Sequence, residues 1–399
     1  MKEQRVRHGV AVRSMLSCNG RVELRRRRYA NGEGMIESPV DELIDLAACG
    51  VSLAVREMCC RIAVDSGSFA RAAANLDRLA QLKLSDEKLR QLAESEGRAV
   101  LAWHEQEQLE FDFDAGRCLT CQTGDGSVKS RVYVGIDGFM LPMVTEQEMG
   151  KRFEKAVERR KRLRRRKGVR RGTLKRRAGA DQRYKEMKLV TMYDQEKEHR
   201  LVRATKSGVK QAGRLIRDMS ADIKLNQAQE VAAVTDGAEW IANLVRANLP
   251  ARTTVILDYF HASQHVHQTR RTVFGEENAE GNTWADRLLQ DLCDGGWDGA
   301  WERLVQTRSR LRSKVRRKSL DDLMGYLLER REKVDYASFR AAGYDVGSGP
   351  TESMCKSLGR RMKGIGMRWT GKNAESMVAL ESLHQSGLWP NYWSTRLAA

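Results

Sequence analysis

The pattern of apolar and polar positions predicts a helical first part of the chain. Residues 21–29, RVELRRRRY, alternate weakly and are compatible with a strand or a basic ribbon, and from Ser38 onward the apolar spacing is helical. An alanine-rich helix, a short turn and a longer helix capped by Ser85 follow. We therefore predict a mainly helical N-terminal region, 1–110, whose helix-turn-helix pair either docks in a major groove or simply packs a helical domain.

From residue 131 the pattern changes to that of a buried sheet. RVYVGIDGFMLPMV is typical of a strand ending at Asp137, KLVTMYDQ and HRLVRATKS of two further strands, and the segments ending at Asp236 and Asp258 of a fourth and a fifth. Helices are predicted after the third, fourth and fifth strands. Three strands in a meander, then strands alternating with helices, predict a mixed sheet with helices on both faces.

A long helical pattern interrupts this alternation before the chain ends, and it predicts an all-helical insertion. The predicted organisation is an N-terminal region 1–110, a linker 111–130, a first core part 131–275 with a basic segment 151–178, the insertion 276–345, and C-terminal core helices 346–399.

Composition is that of a soluble globular protein. The 399 residues are 41% hydrophobic and 31% charged, and we find no apolar run near the roughly 20 residues that cross a bilayer. The first residues lack the apolar stretch of a secretory signal. We expect a cytoplasmic protein without a membrane partner.

The eight cysteines show no disulfide-framework spacing, which is typical of reduced thiols in a cytosolic protein. Only CLTC, residues 118–121, has the spacing of metal ligands. Since no second pair completes four ligands in the sequence, a pair of small buried or loop thiols is favoured over zinc.

Positive charge is concentrated in one segment. The net charge is +18, and residues 151–177 hold 16 Lys or Arg against two Glu, a contribution of 16 − 2 = +14. A concentrated positive field favours a polyanion partner, and arginine suits bidentate phosphate contacts, so we predict binding to a DNA backbone; the alternative is a solvated linker. The predicted contacts in this segment are Arg159, Arg160, Arg162, Arg164, Arg165, Arg166, Lys167, Arg170 and Arg171.

Acidic residues follow the predicted strands. Asp137 and Asp236 each come after an apolar run and precede a glycine, at the edge of an α/β sheet where ligands bind. Carboxylates at that edge are suited to bind Mg²⁺. An Asp-Gly sequence is, however, also common in ordinary turns that bind no metal. Asp258 occupies an equivalent place, so the pattern alone does not identify which acids would hold metal.

Glu352 lies in GSGPTESMCK, in the first turn of a helix that starts near Gly349. A carboxylate is favoured in that position by the helix dipole without any metal. Lys356, Arg360 and Lys363 share its helical face. They are either phosphate contacts around an active site or a helical ion pair with solvated neighbours.

Five ordered segments carry a family resemblance. VGIDG, TDGAEWI, ILDYFHASQHV, GSGPTESMCK and GMRWT resemble the DDE transposases of bacterial insertion sequences of the ISKra group, which are related to Mutator-like and hAT-like transposases. The resemblance covers about residues 131 to 390 and is weaker over 20 to 105. It implies an RNase H-like fold in which Asp137, Asp236 and Glu352 form an acidic triad holding two Mg²⁺ or Mn²⁺ ions.

The resemblance also implies that Asp258 and His261 form the (C/D)xxH motif of the Mutator and hAT relatives. Many family members carry a cysteine-rich N-terminal element, but here Cys18 stands alone. We therefore do not expect zinc at the N-terminus.

The function predicted from these observations is that of a transposase. It would bind terminal inverted repeats and target duplex DNA as a homodimer or larger assembly, associated with a bacterial nucleoid, and would catalyse two-metal cleavage and strand transfer. A structure-specific endonuclease that never joins strands and a non-catalytic DNA-binding protein are the alternatives. Further predicted DNA contacts are Lys356, Arg360, Arg361, Lys363 and Arg368, with Trp240 and Trp369 as base-stacking candidates.

Overall fold

The computed structural model describes residues 6–30, 35–43, 50–106, 112–167, 184–364 and 367–398. The strands are β1 (Val6–Ser17), β2 (Gly20–Ala30), β3 (Ile36–Glu37), β4 (Leu119–Thr120), β5 (Lys129–Val144), β6 (Tyr184–Asp194), β7 (Arg200–Thr205), β8 (Glu230–Thr235), β9 (Thr254–Leu257) and β10 (Trp369–Thr370). The helices are α1 (Pro39–Leu43), α2 (Leu53–Asp65), α3 (Phe69–Ala80), α4 (Asp86–Gln106), α5 (Glu146–Lys167), α6 (Gly208–Asp222), α7 (Glu239–Asn248), α8 (Tyr259–Phe274), α9 (Ala279–Gln290), α10 (Gly296–Arg310), α11 (Lys314–Leu328), α12 (Tyr336–Ala341), α13 (Gly349–Met362), α14 (Gly371–Gln385) and α15 (Trp389–Ala398).

The chain forms two compact units. Unit 1 comprises Met1–Glu110, Met140–Glu186 and Ser357–Ala399, and unit 2 comprises Phe111–Phe139 and Met187–Lys356. The divisions fall within β5, β6 and α13, so each of these elements contributes residues to both units.

The principal sheet has the strand order β7-β6-β5-β8-β9. β6 pairs with β7 antiparallel, whereas β5 with β8 and β8 with β9 pair parallel. The last eight residues of β6 and the last five of β8 are buried runs, as expected for strands covered on both faces. The predicted mixed sheet and the spatial order of its first three strands are therefore confirmed, and the arrangement is compatible with an RNase H-like fold.

Strand β5 departs from the prediction because it continues past Asp137 to Val144. Within unit 1, Met143 and Val144 gain a partner in β10, which pairs with them in parallel. The apolar residues after Asp137 therefore extend the strand. The parallel ladder with β8 nonetheless ends near Asp137, since its last pair is Gly135 with Val234.

The predicted linker 111–130 is instead packed into unit 2. Phe113, Ala115 and Cys118 are buried, and β4 pairs with the start of β5. Arg131, fully buried, donates from its guanidinium to several backbone carbonyls of unit 2 and binds the Glu230 carboxylate at 2.7 Å. These contacts order a segment whose composition resembles a loop.

The segment between α8 and α13 is helical, as its pattern predicts. Helices α9 to α12 follow one another, with a π-helical turn at Asp291–Gly295. Their apolar side chains, among them Trp284, Leu288, Leu320 and Leu327, share one core with residues of β8, β9 and α8. Burial of this apolar stripe against the sheet explains why the helices belong to unit 2.

Unit 1 begins with a hairpin of which the sequence pattern indicates only the second strand: residues 21–29, compatible with a strand or a basic ribbon, lie in β2, whereas β1 is not predicted. β1 and β2 pair antiparallel along their whole length, and β3 adds to β2. Val10 and Val12 are exposed on this ribbon, so the usual alternation between a buried and a solvated face is weak. Helices α2, α3 and α4 follow, and Gly97 of α4 allows the backbone of Ser376 in α14 to approach closely.

The first half of the basic segment lies in α5, which ends at Lys167, while the residues from 168 to 178 lie outside the described part. Among the described helices, none combines the length and apolarity needed to cross a membrane.

Candidate active site

One pocket of unit 2 brings together the acidic residues singled out in the sequence. Its volume is about 220 Å³. It is lined by Ile136, Asp137, Val234, Thr235, Asp236, Asp258, His261, Gln264, Ser348, Thr351 and Glu352. Residues from β5, from the ends of β8 and β9, and from the first turns of α8 and α13 thus share one cavity.

Asp137 and Asp236 lie at the same level of two neighbouring parallel strands. Each is two residues beyond the last pair of the β5–β8 ladder, Gly135 with Val234. The Gly138 N–H donates to Asp137 Oδ1 at 2.6 Å, and the N–H of residue 238 donates to Asp236 Oδ1 at 2.8 Å. The local turn bonds of an Asp-Gly sequence are therefore present, and both carboxylates also line the pocket.

Asp137 interacts electrostatically with both of the other acidic residues, Asp236 and Glu352. Burial raises the pKa of Asp137, and the charges of Asp236 and Glu352 raise it further. Hydrogen bonds from the Cys355 thiol, 3.2 Å from Oδ2, and from the Gly138 N–H act in the opposite direction. Three carboxylates that repel one another in a partly buried pocket form a site that a cation would stabilise.

The first turn of α13 reaches the sheet because residue 135 is glycine. A Cβ at Gly135 would overlap the Thr351 hydroxyl and lie 2.5 Å from Thr191 Oγ1. The two threonine hydroxyls are 2.9 Å apart and hydrogen bonded. This close approach holds the residue before Glu352 directly over β5, two positions before Asp137.

Glu352 also makes the helical ion pair considered as an alternative to a metal role. Lys356 Nζ lies 3.1 Å from Glu352 Oε2, with the lysine side chain largely exposed and the glutamate side chain partly exposed. An exposed pair of this kind contributes little to stability. The carboxylate therefore remains available to a ligand of the pocket at small energetic cost.

Asp258 is bonded through both carboxylate oxygens to backbone donors. Oδ1 accepts from the His261 N–H at 2.7 Å and caps α8, and Oδ2 accepts from the Ser348 N–H at 2.5 Å. The Ser348 carbonyl in turn accepts from the Glu352 N–H. Asp258 thus ties the start of α8 to the start of α13, which is the arrangement of a positioning residue.

His261 lines the pocket from the first turn of α8. Its ring meets that of His265 at a centroid distance of 5.1 Å, and His265 stacks on Tyr326 at 4.1 Å. Burial lowers the pKa of His265, with contributions from His261 and Arg330. Packing fixes His265, while His261 presents its ring to the cavity.

Two predicted DNA contacts are core residues of unit 1. Arg361 is 3% exposed and donates to the Ala63 carbonyl, with its guanidinium 4.7 Å from the Phe69 ring centroid. Trp369 is 5% exposed and donates from its indole to the Met362 carbonyl. Because both side chains are buried in unit 1, we correct both assignments to structural roles.

The structure describes the side chains of some of the other predicted DNA contacts but not of all of them. The Trp240 ring is half-buried, with the Lys188 ammonium 3.6 Å from its centroid, so one face is covered. The exposed cations are Arg159, Arg162, Lys356, Arg360, Lys363 and Arg368, and Arg160 is half-buried. The side chains of Arg164, Arg165, Arg166 and Lys167, and all of Arg170 and Arg171, lie outside the described residues.

Sequence reasoning missed Gly135, Thr351 and Cys355 at this site. Cys355 lies three residues after Glu352, so helical spacing places it on a neighbouring position of the same face. Gly135 precedes Asp137 by two residues, but its role depends on an approach from a helix more than two hundred residues later. No local signal predicts such a contact.

No protein-family model matches the sequence, and no curated protein matches it. Among solved structures, the Drosophila P element transposase strand transfer complex aligns over 85% of this chain and 80% of its own, with 11% identity and a TM-score of 0.25. Similarity at this TM-score carries no argument about fold or function.

Proposed function

We propose that this chain is a DDE-type DNA transposase that cleaves and joins DNA at the pocket lined by Asp137, Asp236 and Glu352. The observation that carries the proposal is the convergence of these three carboxylates, from two adjacent parallel strands and one helix, in a single cavity. Their order along the chain and the motifs around them, which resemble the ISKra-group enzymes, support the same interpretation.

The donor chemistry of the pocket residues suits divalent metal ions. The donor set consists of carboxylate oxygens, which Mg²⁺ and Mn²⁺ prefer. Mutual repulsion and burial raise the pKa of Asp137, and a bound cation would offset both effects. We infer that Asp137, Asp236 and Glu352 would hold two such ions, which when bound would activate the attacking oxygen and stabilise the leaving oxygen of a phosphodiester.

The remaining pocket residues would orient the DNA. His261 and Gln264 line the cavity, and their polar groups are suited to donate to a phosphate oxygen. Asp258 would fix the relative positions of α8 and α13 through its bonds to the backbone N–H groups of His261 and Ser348. No covalent enzyme intermediate is required, because positioning and charge neutralisation account for the chemistry.

Exposed cations would supply the affinity for duplex DNA. In unit 1, α5 presents Arg159 and Arg162 to solvent, and the net charge of +14 between residues 151 and 177 is the largest concentration of positive charge in the sequence. Contacts to phosphates release counterions and so make binding depend steeply on salt. These contacts would hold DNA without reading its sequence.

The test combines duplexes made from the DNA that flanks the coding sequence with a supercoiled plasmid as target. We expect cleavage and joined products in Mg²⁺ or Mn²⁺ and none in EDTA. Asp137→Asn and Glu352→Gln should each lower both activities by at least about 100-fold, the scale of losing one electrostatic stabiliser. Glu239→Gln, which removes an exposed carboxylate in the first turn of α7, is the matched control and should keep full activity.

The alternatives give different results in the same assay. Metal-dependent cleavage without joined product would indicate an endonuclease. DNA binding with no effect of Asp137→Asn or Glu352→Gln on any activity would indicate a non-catalytic DNA-binding protein.

A further inference from the structure

A cysteine, an aspartate and a histidine meet in unit 2 without lining the acidic pocket. Cys118 directly precedes β4, Asp194 is the last residue of β6, and His199 directly precedes β7. The Cys118 sulfur, an Asp194 carboxylate oxygen and a His199 ring nitrogen all lie within 4.8 Å of one another. Within the described part of the chain, no other set of three Cys, His, Asp or Glu meets that criterion.

The hairpin turn between β6 and β7 preorganises two of these groups. The His199 N–H donates to Asp194 Oδ1 at 3.1 Å, and His199 Nδ1 lies 2.8 Å from Asp194 Oδ2. The Asp194 N–H donates to the His199 carbonyl. A carboxylate beside an imidazole with a fixed orientation is a common feature of metal sites.

The third group comes from a distant segment. Cys118 is 5% exposed and Asp194 is 4% exposed, whereas His199 is partly open to solvent. The Cys118 carbonyl accepts from the Arg131 N–H at 3.0 Å, which fixes the cysteine at the edge of the sheet. Its thiol donates to the Asp114 carbonyl at 3.3 Å.

We propose that Cys118, Asp194 and His199 bind a zinc ion. Thiolate sulfur and imidazole nitrogen favour zinc over magnesium, and a tetrahedral ion would take these three ligands and one water. On binding, the Cys118 thiol releases its proton to solvent and the sulfur becomes the ligand. Cys121, the second cysteine of CLTC, is exposed and lies outside the cluster, so it is not needed as a ligand.

This site revises the interpretation of CLTC. The sequence contains no second CxxC, and the completing ligands are an aspartate and a histidine at the ends of two strands far along the chain. The pairing of β6 with β7, the place of β6 beside β5 and the pairing of β4 with β5 together bring them to Cys118.

The zinc ion would act as a structural cross-link within unit 2. It would join the segment before β4 to the β6–β7 turn. Gln195, the next residue after Asp194, accepts from the Tyr133 hydroxyl at 2.6 Å and donates to Asp345 at 3.2 Å. A zinc ion bound at this turn would therefore also stabilise the hydrogen bonds among Tyr133, Gln195 and Asp345. Asp345 lies in the segment just before α13.

The test measures metal in the full-length protein purified without chelator. We expect about one zinc per chain by elemental analysis, and thiolate-to-metal charge-transfer absorbance when the chelator-stripped protein is titrated with Co²⁺. Cys118→Ser and His199→Ala should each weaken Co²⁺ binding by more than about tenfold. His199 is partly exposed, so His199→Ala should fold even if the buried cysteine variant does not; circular dichroism checks this.

Two control variants test the ligand assignment. Cys121→Ser should keep the zinc and the Co²⁺ spectrum, and an equal loss in that variant would overturn the assignment of Cys118. Asp137→Asn should also keep the zinc, which makes the result independent of the proposed transposase activity. A folded wild-type protein without zinc and without Co²⁺ charge-transfer absorbance would overturn the proposal, because the Asp194–His199 pair would then be only a hairpin contact.

Discussion

Replacement of Gly135 by alanine tests whether close approach of α13 to β5 builds the acidic pocket. The new Cβ would overlap the Thr351 hydroxyl, lie 2.5 Å from Thr191 Oγ1 and lie 2.9 Å from Thr351 Cβ. Both threonines are buried, so neither side chain has free space to turn into. The structure can relieve the overlap only by moving the first turn of α13 away from the sheet, together with Glu352.

The expected cost follows from this overlap. Overpacking by one methyl group in a filled core costs about 1–3 kcal/mol of unfolding free energy. A shift of about 1 Å in one catalytic group can lower activity about 100-fold. Gly135→Ala should therefore lose more activity than its modest loss of stability explains, because most molecules would still be folded at 25 °C.

Urea denaturation followed by circular dichroism measures the stability, and Mg²⁺-dependent DNA cleavage measures the proposed activity. The matched control is Gly325→Ala on α11, where an added Cβ meets nothing within 4 Å. That change should be neutral or stabilise by up to about 1 kcal/mol, since alanine is the better helix former.

A double-mutant cycle with Thr351→Ala assigns the effect to the named contact. Thr351→Ala alone should cost about 1 kcal/mol, since it removes the hydrogen bond to Thr191. The double variant should lose less free energy of unfolding than the two single variants lose in sum, by at least about 0.5 kcal/mol, because the closest overlap is gone. Wild-type stability and activity in Gly135→Ala, or strict additivity in the cycle, would show that this contact does not position Glu352.

Three further predictions concern buried charge, the acidic pocket and DNA affinity. Arg131→Met should destabilise by about 1–3 kcal/mol in urea denaturation, because it leaves partly buried carbonyls without their donor and removes one cationic partner of Glu230, which still pairs with Lys129, whereas the exposed Arg214→Met should change stability by less than about 1 kcal/mol. Asp137→Asn should raise the melting temperature in EDTA at neutral pH: the raised pKa of Asp137 means that its charged form destabilises the fold above that pKa. The difference in melting temperature between Asp137→Asn and the wild-type protein should shrink as pH falls, and a difference that stays constant would contradict the prediction. Arg159→Gln combined with Arg162→Gln should reduce the slope of log affinity against log salt by about 1.8, the release from two phosphates; an unchanged slope would show that α5 does not contact the DNA backbone.

Much of unit 2 follows from local sequence. The apolar runs of β6, β8 and β9 are typical of strands in a covered sheet, and the helices that follow β7, β8 and β9 each bury residues at helical spacing. Asp236 and Asp258 directly follow such runs, so their place at the strand ends could be predicted from periodicity alone. The same reasoning failed for Asp137, because β5 continues past it as a strand whose last two residues pair with β10, more than two hundred residues away.

Strand β1 of the hairpin and the packed segment 112–130 were not predictable for a related reason, whereas the weak alternation at 21–29 was compatible with strand β2. Both faces of the hairpin carry polar and exposed apolar residues, which removes the local signal of a strand. The segment before β4 has the composition of a loop, and its order comes from burial of Phe113 and from the contacts of Arg131 with distant carbonyls.

The residues that we propose carry chemistry could be recognised from the chain alone: carboxylates after strands, a glutamate in a helix first turn, a histidine three residues after an aspartate, and a cysteine pair. Which of them meet depends on tertiary contacts. These contacts bring Asp137, Asp236 and Glu352 into one pocket, and both carboxylate oxygens of Asp258 accept hydrogen bonds from the backbone. They also bury Arg361 and Trp369. Finally, they place Cys118 beside Asp194 and His199. The difference arises because side-chain chemistry is local, whereas proximity comes from strand pairing and helix packing between residues far apart in the chain.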